Sequence, residues 1–158
     1  MEIVSNTSSI VFLAKLNIFY LAKNIFSKII IPKEVFIEIM ENPGYELNII
    51  EKELDNFIQI AELKNIKELP IHLGEKAAIS LCIEKNINKF LSDDKKARDY
   101  AESLDIEVIG ILGIIIKNTK DKKLKKQDAL KIINDLIKND FYISSDLYLE
   151  IIKEIDSI

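Results

Sequence analysis

The sequence predicts an α/β fold, a three-layer α/β/α sandwich whose central parallel sheet has five short strands. Three observations predict it. Short apolar or β-branched runs alternate with longer segments of helical periodicity, the order that parallel strands joined by crossovers require. Gly and Pro number only 4 and 3 among 158 residues, so loops are short and regular elements dominate. Apolar residues make up 48%, with Ile foremost, as strands covered on both faces demand. The chain reads as one domain over 1–158, long enough to bury a full core.

Glu2–Ser5 is the first strand, and Thr7, Ser8 and Ser9 supply N-cap chemistry for a helix through Leu16. A second helical stretch, Ile18–Phe26, leads to the buried strand Lys28–Ile31, which Pro32 closes. Pro32 also suits the first turn of a helix in which Val35, Phe36, Ile39 and Met40 recur at helical spacing. Asn42-Pro43-Gly44 stops that helix. Helix Tyr45–Asp55 and strand Phe57–Ile60 follow, and 61–73 form a connection without clear periodicity. From Gly74 a helix runs to Ile83, then strand Lys89–Leu91, helix Asp94–Leu104 and strand Glu107–Ile109. Helices at Ile111–Lys117, Lys126–Lys138 and Asp146–Ile158 complete the chain. The last carries Leu147, Ile151 and Ile155 at four-residue spacing, a face that closes the core.

Charge and composition narrow the function. A formal net charge of −4 provides no global basic field for nucleic acid, so any such contact is local. The lone Cys82 forms no internal disulfide, and the first residues lack the basic and apolar regions of a signal peptide. The apolar stretch Val108–Ile116 is far shorter than the roughly 20 residues of a membrane helix. The expectation is a cytoplasmic protein with no membrane contact.

The most informative run is Phe90-Leu91-Ser92-Asp93-Asp94-Lys95-Lys96-Ala97-Arg98. It puts two adjacent carboxylates at the carboxyl end of a buried strand, where open α/β folds hold their sites. Two acids there repel each other unless positive charge compensates, and a divalent cation is the natural candidate. Asn6 ends the first strand, Glu38 lies in the helix after the second, and Glu75 lies in the first turn of the helix before the fourth. If the first and fourth strands are neighbours, these oxygen donors share one crevice and suit Mg²⁺ or Mn²⁺. The chemistry indicated is metal-assisted hydrolysis of a phosphodiester. Each residue also has an ordinary explanation: a solvated helix glutamate, a helix cap at Asp93, a turn residue at Asn6.

Four motifs, in this order, resemble the PIN-domain nucleases. They are Val4-Ser5-Asn6-Thr7-Ser8; Ile31-Pro32 with Val35 and Glu38; Gly74-Glu75 with Ala78-Ile79; and Asp93-Asp94 with Ala97-Arg98. Gly110-Ile111-Leu112-Gly113 and Phe141-Tyr142-Ile143-Ser144 fit the same pattern, which is closest to small stand-alone prokaryotic proteins similar to VapC toxins. The resemblance implies strand order 3-2-1-4-5, a ribonuclease dependent on Mg²⁺ or Mn²⁺, and a paired small DNA-binding antitoxin. It carries catalytic and metal-binding roles onto Glu38, Glu75, Asp93 and Asp94, with Asp94 the preferred direct ligand. Asn6 falls where the family's first aspartate sits, as a neutral metal ligand. An amide oxygen still coordinates a hard cation but adds no negative charge, so metal affinity falls. The alternative reading is therefore a weak or inactive module that binds RNA or a protein partner.

For RNA contacts the candidates are the hydroxyls of Thr7 and Ser8 and the cations Lys95, Lys96 and Arg98. The last helix offers a surface for a homodimer. His72 reads as a surface loop residue, Cys82 as a buried small hydrophobe, and the lysines between 117 and 126 as a solvated run.

Overall fold

The computed structural model describes residues 1–158. Five strands form one parallel sheet: β1 (Glu2–Ser5), β2 (Lys28–Pro32), β3 (Ile58–Ala61), β4 (Lys89–Leu91) and β5 (Glu107–Ile109). Their order across the sheet is β3-β2-β1-β4-β5. Nine helices connect and flank them: α1 (Thr7–Lys15), α2 (Phe19–Lys23), α3 (Lys33–Glu41), α4 (Leu47–Glu53), α5 (Leu73–Lys85), α6 (Lys95–Ser103), α7 (Ile111–Lys120), α8 (Lys126–Lys138) and α9 (Ser145–Asp156).

Strand alternation sorts the core into two layers. Successive side chains point to opposite faces, so Ile3, Ile29, Ile31, Ile58 and Leu91 join the larger cluster of 27 buried residues. That cluster also takes Leu13, Val35, Ile114, Ile133 and Ile155 from α1, α3, α7, α8 and α9. Val4, Ile30 and Phe90 face the other way, into a smaller cluster with Ala78, Leu81, Ala97 and Ala101 of α5 and α6. Small alanines on α5 and α6 let those helices lie close to the sheet.

β1 is the pivot. It pairs with β2 through Ile3↔Ile29 and with β4 through Val4↔Phe90 and Ser5↔Leu91. The chain winds one way from β1 to β2 and β3, then crosses to β4 and β5 on the other side. This reversal opens a crevice at the strands' carboxyl ends between β1 and β4. The backbone extends the pairing one residue further on each side, with Asn6 N–H donating to Leu91 O at 3.3 Å and Ser92 N–H to Ile109 O at 3.1 Å.

Several element boundaries differ from the sequence expectation. α2 is shorter than Ile18–Phe26: it ends at Lys23, and Ile25 N–H bonds three residues back to Ala22 O, the tightening of a last turn before the chain enters β2. α4 begins at Leu47 and ends before Asp55, which adopts a left-handed φ of 63°. β3 is displaced by one residue, from Ile58 to Ala61. The connection before α5 has no regular structure but is tied to that helix: Lys67 N–H donates to Ser80 Oγ at 2.8 Å, and Lys64 N–H reaches the Glu84 carboxylate. In the lysine run Lys120 pairs with Glu154 of α9 at 2.9 Å, while Lys117 pairs with Asp121 at the end of its own helix at 3.0 Å. No helix is long and apolar enough to cross a membrane.

Candidate active site

Asn6 follows β1 directly and is buried. Its Oδ1 accepts Ser9 N–H at 3.1 Å, capping α1, and its Nδ2 donates to Ser92 Oγ at 3.1 Å. The need of Ser9 N–H for an acceptor fixes which way the amide faces. Ser92 Oγ also accepts Asp94 N–H at 3.2 Å, so one hydroxyl links the ends of β1 and β4 to the start of α6.

The adjacent aspartates diverge. Asp94 caps α6, its Oδ2 accepting Ala97 N–H at 2.8 Å. Asp93 turns toward β5 and accepts Ile111 N–H, at the start of α7, at 3.2 Å; Ser9 Oγ donates to it at 3.4 Å. Burial pushes the Asp93 carboxyl up to about 6, against the opposing pull of that N–H, the nearby Arg98 charge and the Ser9 hydroxyl. Gly110 makes this seat possible. A Cβ there would collide with the Asp93 carboxylate and press on the Arg98 guanidinium.

Glu38 has a similar seat. Its carboxylate lies over Gly74 at the start of α5, where a Cβ would stand 2.6 Å from Oε2 and 3.5 Å from Thr7 Oγ1. That Thr7 hydroxyl is enclosed without a hydrogen-bond partner. Next along α5, Glu75 is half-buried. Burial first, then the negative charges of Asp94 and Glu38, raise its carboxyl above the usual range, while His72 acts in the opposite direction. Asp94 and Glu38 therefore both act electrostatically on Glu75. None of them, nor Asp93, has a basic group within ion-pair distance.

The expected site residues thus fall into connected groups rather than one ring. Glu38, Glu75 and Asp94 converge; Asp93 stands beside them on the α7 side; Asn6 lies beneath, spent on internal hydrogen bonds. As the side chains stand, no three Asp, Glu, His or Cys residues are close enough together to hold an ion. The donor chemistry nonetheless fits a hard divalent cation: oxygen ligands only, uncompensated negative charge, and an unpartnered hydroxyl at Thr7.

Two clefts flank the acids and share Glu75 and Asp94. One, of about 600 Å³, also holds Ser8, Asp93, Arg98 and Gly110. The other, of about 510 Å³, holds His72 and Lys96. Of the candidate RNA-binding cations, Arg98 and Lys96 line these clefts, whereas Lys95 pairs with Asp99 at 3.1 Å on the exposed face of α6. His72 is exposed, as its loop position suggested, yet close enough to influence Glu75. Cys82 is buried, and burial pushes its thiol up to about 12, which leaves it unreactive.

Sequence reasoning missed Ser9 and the Ile111 N–H as partners of Asp93, and Asp140 as a cleft-lining residue. Ser9 carried a signal as part of the cap of α1, but not of a contact to a strand so distant in sequence.

Comparison with known proteins identifies the fold. Residues 2–157 match a family model described as a PIN domain. The chain belongs to the PIN-domain family. Among solved structures it is similar to a PilT N-terminus domain protein from the hyperthermophilic archaeon Sulfolobus solfataricus P2. The two share 20% identity over 72% of this chain and 90% of the other, with a TM-score of 0.57. No curated protein matches the chain. PIN domains are generally nucleases and typically use divalent metal ions, which supports a hydrolase of that kind. The strand order of the sheet is the one that the resemblance implied.

Proposed function

We propose that this PIN-domain protein is an endoribonuclease dependent on Mg²⁺ or Mn²⁺, a VapC-like toxin that cleaves single-stranded RNA. The observation that carries the reading is the convergence of Glu38, Glu75 and Asp94, acids without basic partners, at the reversal of strand order. Three carboxylates kept together without neutralisation cost folding energy, and a function that needs their charge accounts for it.

Glu38, Glu75 and Asp94 would hold the ion, with Asp93 adding charge from the α7 side. When bound, the ion lowers the pKa of water and offsets charge developing on the phosphate. Arg98 and Lys96, one in each cleft, neutralise phosphates on either side of the cut. The hydroxyls of Ser8 and Thr7 orient water or a phosphate oxygen. Water adds to phosphorus and one P–O ester bond breaks, the leaving oxygen departing in line.

The same reading assigns a small DNA-binding antitoxin as partner, a homodimer as the assembly and the cytoplasm as the location. The two hydrogen bonds of Asn6 favour a second reading, a module of low activity that binds RNA or protein without cutting it. Incubation of the purified protein with single-stranded RNA separates them. Cleavage in Mn²⁺ that a chelator stops and Asp94→Asn removes supports the nuclease; RNA bound but whole under all conditions supports the module.

A further inference from the structure

The cleft that contains Glu75, Asp93 and Asp94 does not end at the acids. It continues along α7 toward the segment joining α8 to α9, and its walls become apolar. Phe12 and Phe141 form part of it, their rings packed edge to face at 5.1 Å, with Leu112 and Ile116 of α7 alongside. Tyr142 stands at the rim, 86% exposed, with no aromatic neighbour for its ring. Asp140 shares that rim.

These surfaces select what enters. A phosphate is disfavoured at the apolar end, where no basic side chain lines the cleft and Asp140 adds negative charge. A flat, uncharged aromatic group suits it. At the other end Arg98 offers a phosphate contact, so one continuous cleft combines a polar seat with an apolar one. Its volume falls within the roughly 300–1,000 Å³ of small-ligand sites. We propose that the apolar half receives one unpaired nucleobase next to the scissile phosphate, with Tyr142 as the stacking platform that closes over it. This rests on the nuclease reading of the acids. It goes further by seating one base of that strand in the apolar half of the cleft and by naming Tyr142 as a positioning residue.

The test is binding of a single-stranded RNA oligonucleotide carrying one 2-aminopurine, in the Asp94→Asn background so that the strand stays whole. Tyr142→Ala is expected to weaken binding by about 5- to 100-fold and to remove the quenching of 2-aminopurine. Tyr142→Phe, which keeps the ring, retains both. A duplex and an abasic oligonucleotide bind less tightly than the intact strand. Unchanged affinity and quenching in Tyr142→Ala overturn the proposal. So does equal affinity for the abasic strand, which would leave the apolar half to a protein partner. The two readings fail separately: RNA cleavage undiminished by Asp94→Asn removes the nuclease mechanism, whereas loss of binding through Tyr142 does not depend on it.

Discussion

Asn6 and Ser92 are joined by a hydrogen bond of 3.1 Å across the seam between β1 and β4, where the sheet reverses its strand order. Ser92 Oγ accepts from both Asn6 Nδ2 and Asp94 N–H, leaving its own proton free. A carboxylate in place of the amide would take that proton and keep the cap to Ser9, so Asn6→Asp preserves every hydrogen bond while adding a charge. Mn²⁺ affinity and RNA cleavage should both rise, on the order of tenfold for one added negative charge beneath the acids. The metal-free protein should melt lower, because another buried acid joins the cluster. Mn²⁺ titration by thermal shift and a cleavage time course check this; no change in either places Asn6 away from the ion.

Asp94 serves both helix and site, and two substitutions separate the roles. Asn caps a helix about as well as Asp, so Asp94→Asn should keep the melting temperature and lose metal-dependent cleavage. Asp94→Ala loses the cap as well, at about 1 kcal/mol. Equal activity in Asp94→Asn and wild type would reduce Asp94 to a cap.

Asp93 gives the metal-free protein a pH signature. Its carboxyl titrates near 6 when folded, above its ordinary 3.8, so between those values the folded state holds the extra proton. Stability from this group therefore falls as pH rises from about 4 to about 6 and is level above that, at a cost of about 3 kcal/mol. Asp93→Asn should raise the melting temperature at pH 7.5 by roughly 6–12 °C in chelator, and the gain should shrink toward pH 4.5. A gain independent of pH would mean the cost is not one of ionisation.

The glycines beneath the carboxylates give a further prediction. At Gly110 an added methyl displaces Asp93, and at Gly74 it displaces the flexible end of Glu38. Gly74→Ala should leave the fold intact and raise the Mn²⁺ concentration needed for half-maximal cleavage by about threefold or more, from loss of one oxygen ligand. Measured metal dependence identical to wild type would remove Glu38 from the site.

What the sequence made legible was whatever depends on neighbours along the chain. Ile29, Ile30 and Ile31 announce a strand buried on both faces, and Asp93-Asp94 at the end of β4 announces a costly charge pair. Adjacency hid the division of labour between them. Asp94 turns to its own helix, while Asp93 turns to Ile111, which only the pairing of β4 with β5 brings near. The seat of Glu38 over Gly74 depends on α3 packing against α5, and the apolar half of the cleft depends on Phe12 meeting Phe141. Such contacts leave no periodic trace. The resemblance supplied the strand order, which alternation alone did not fix, and the boundaries of α2 and α4 moved where backbone turns overrode apolar spacing.

The most direct measurement is anomalous scattering from a crystal soaked in Mn²⁺. A peak bounded by carboxylate oxygens of Glu38, Glu75 and Asp94 is the predicted result. Manganese absent from that crevice at a concentration that supports RNA cleavage, or bound only at unrelated surface acids, would contradict it.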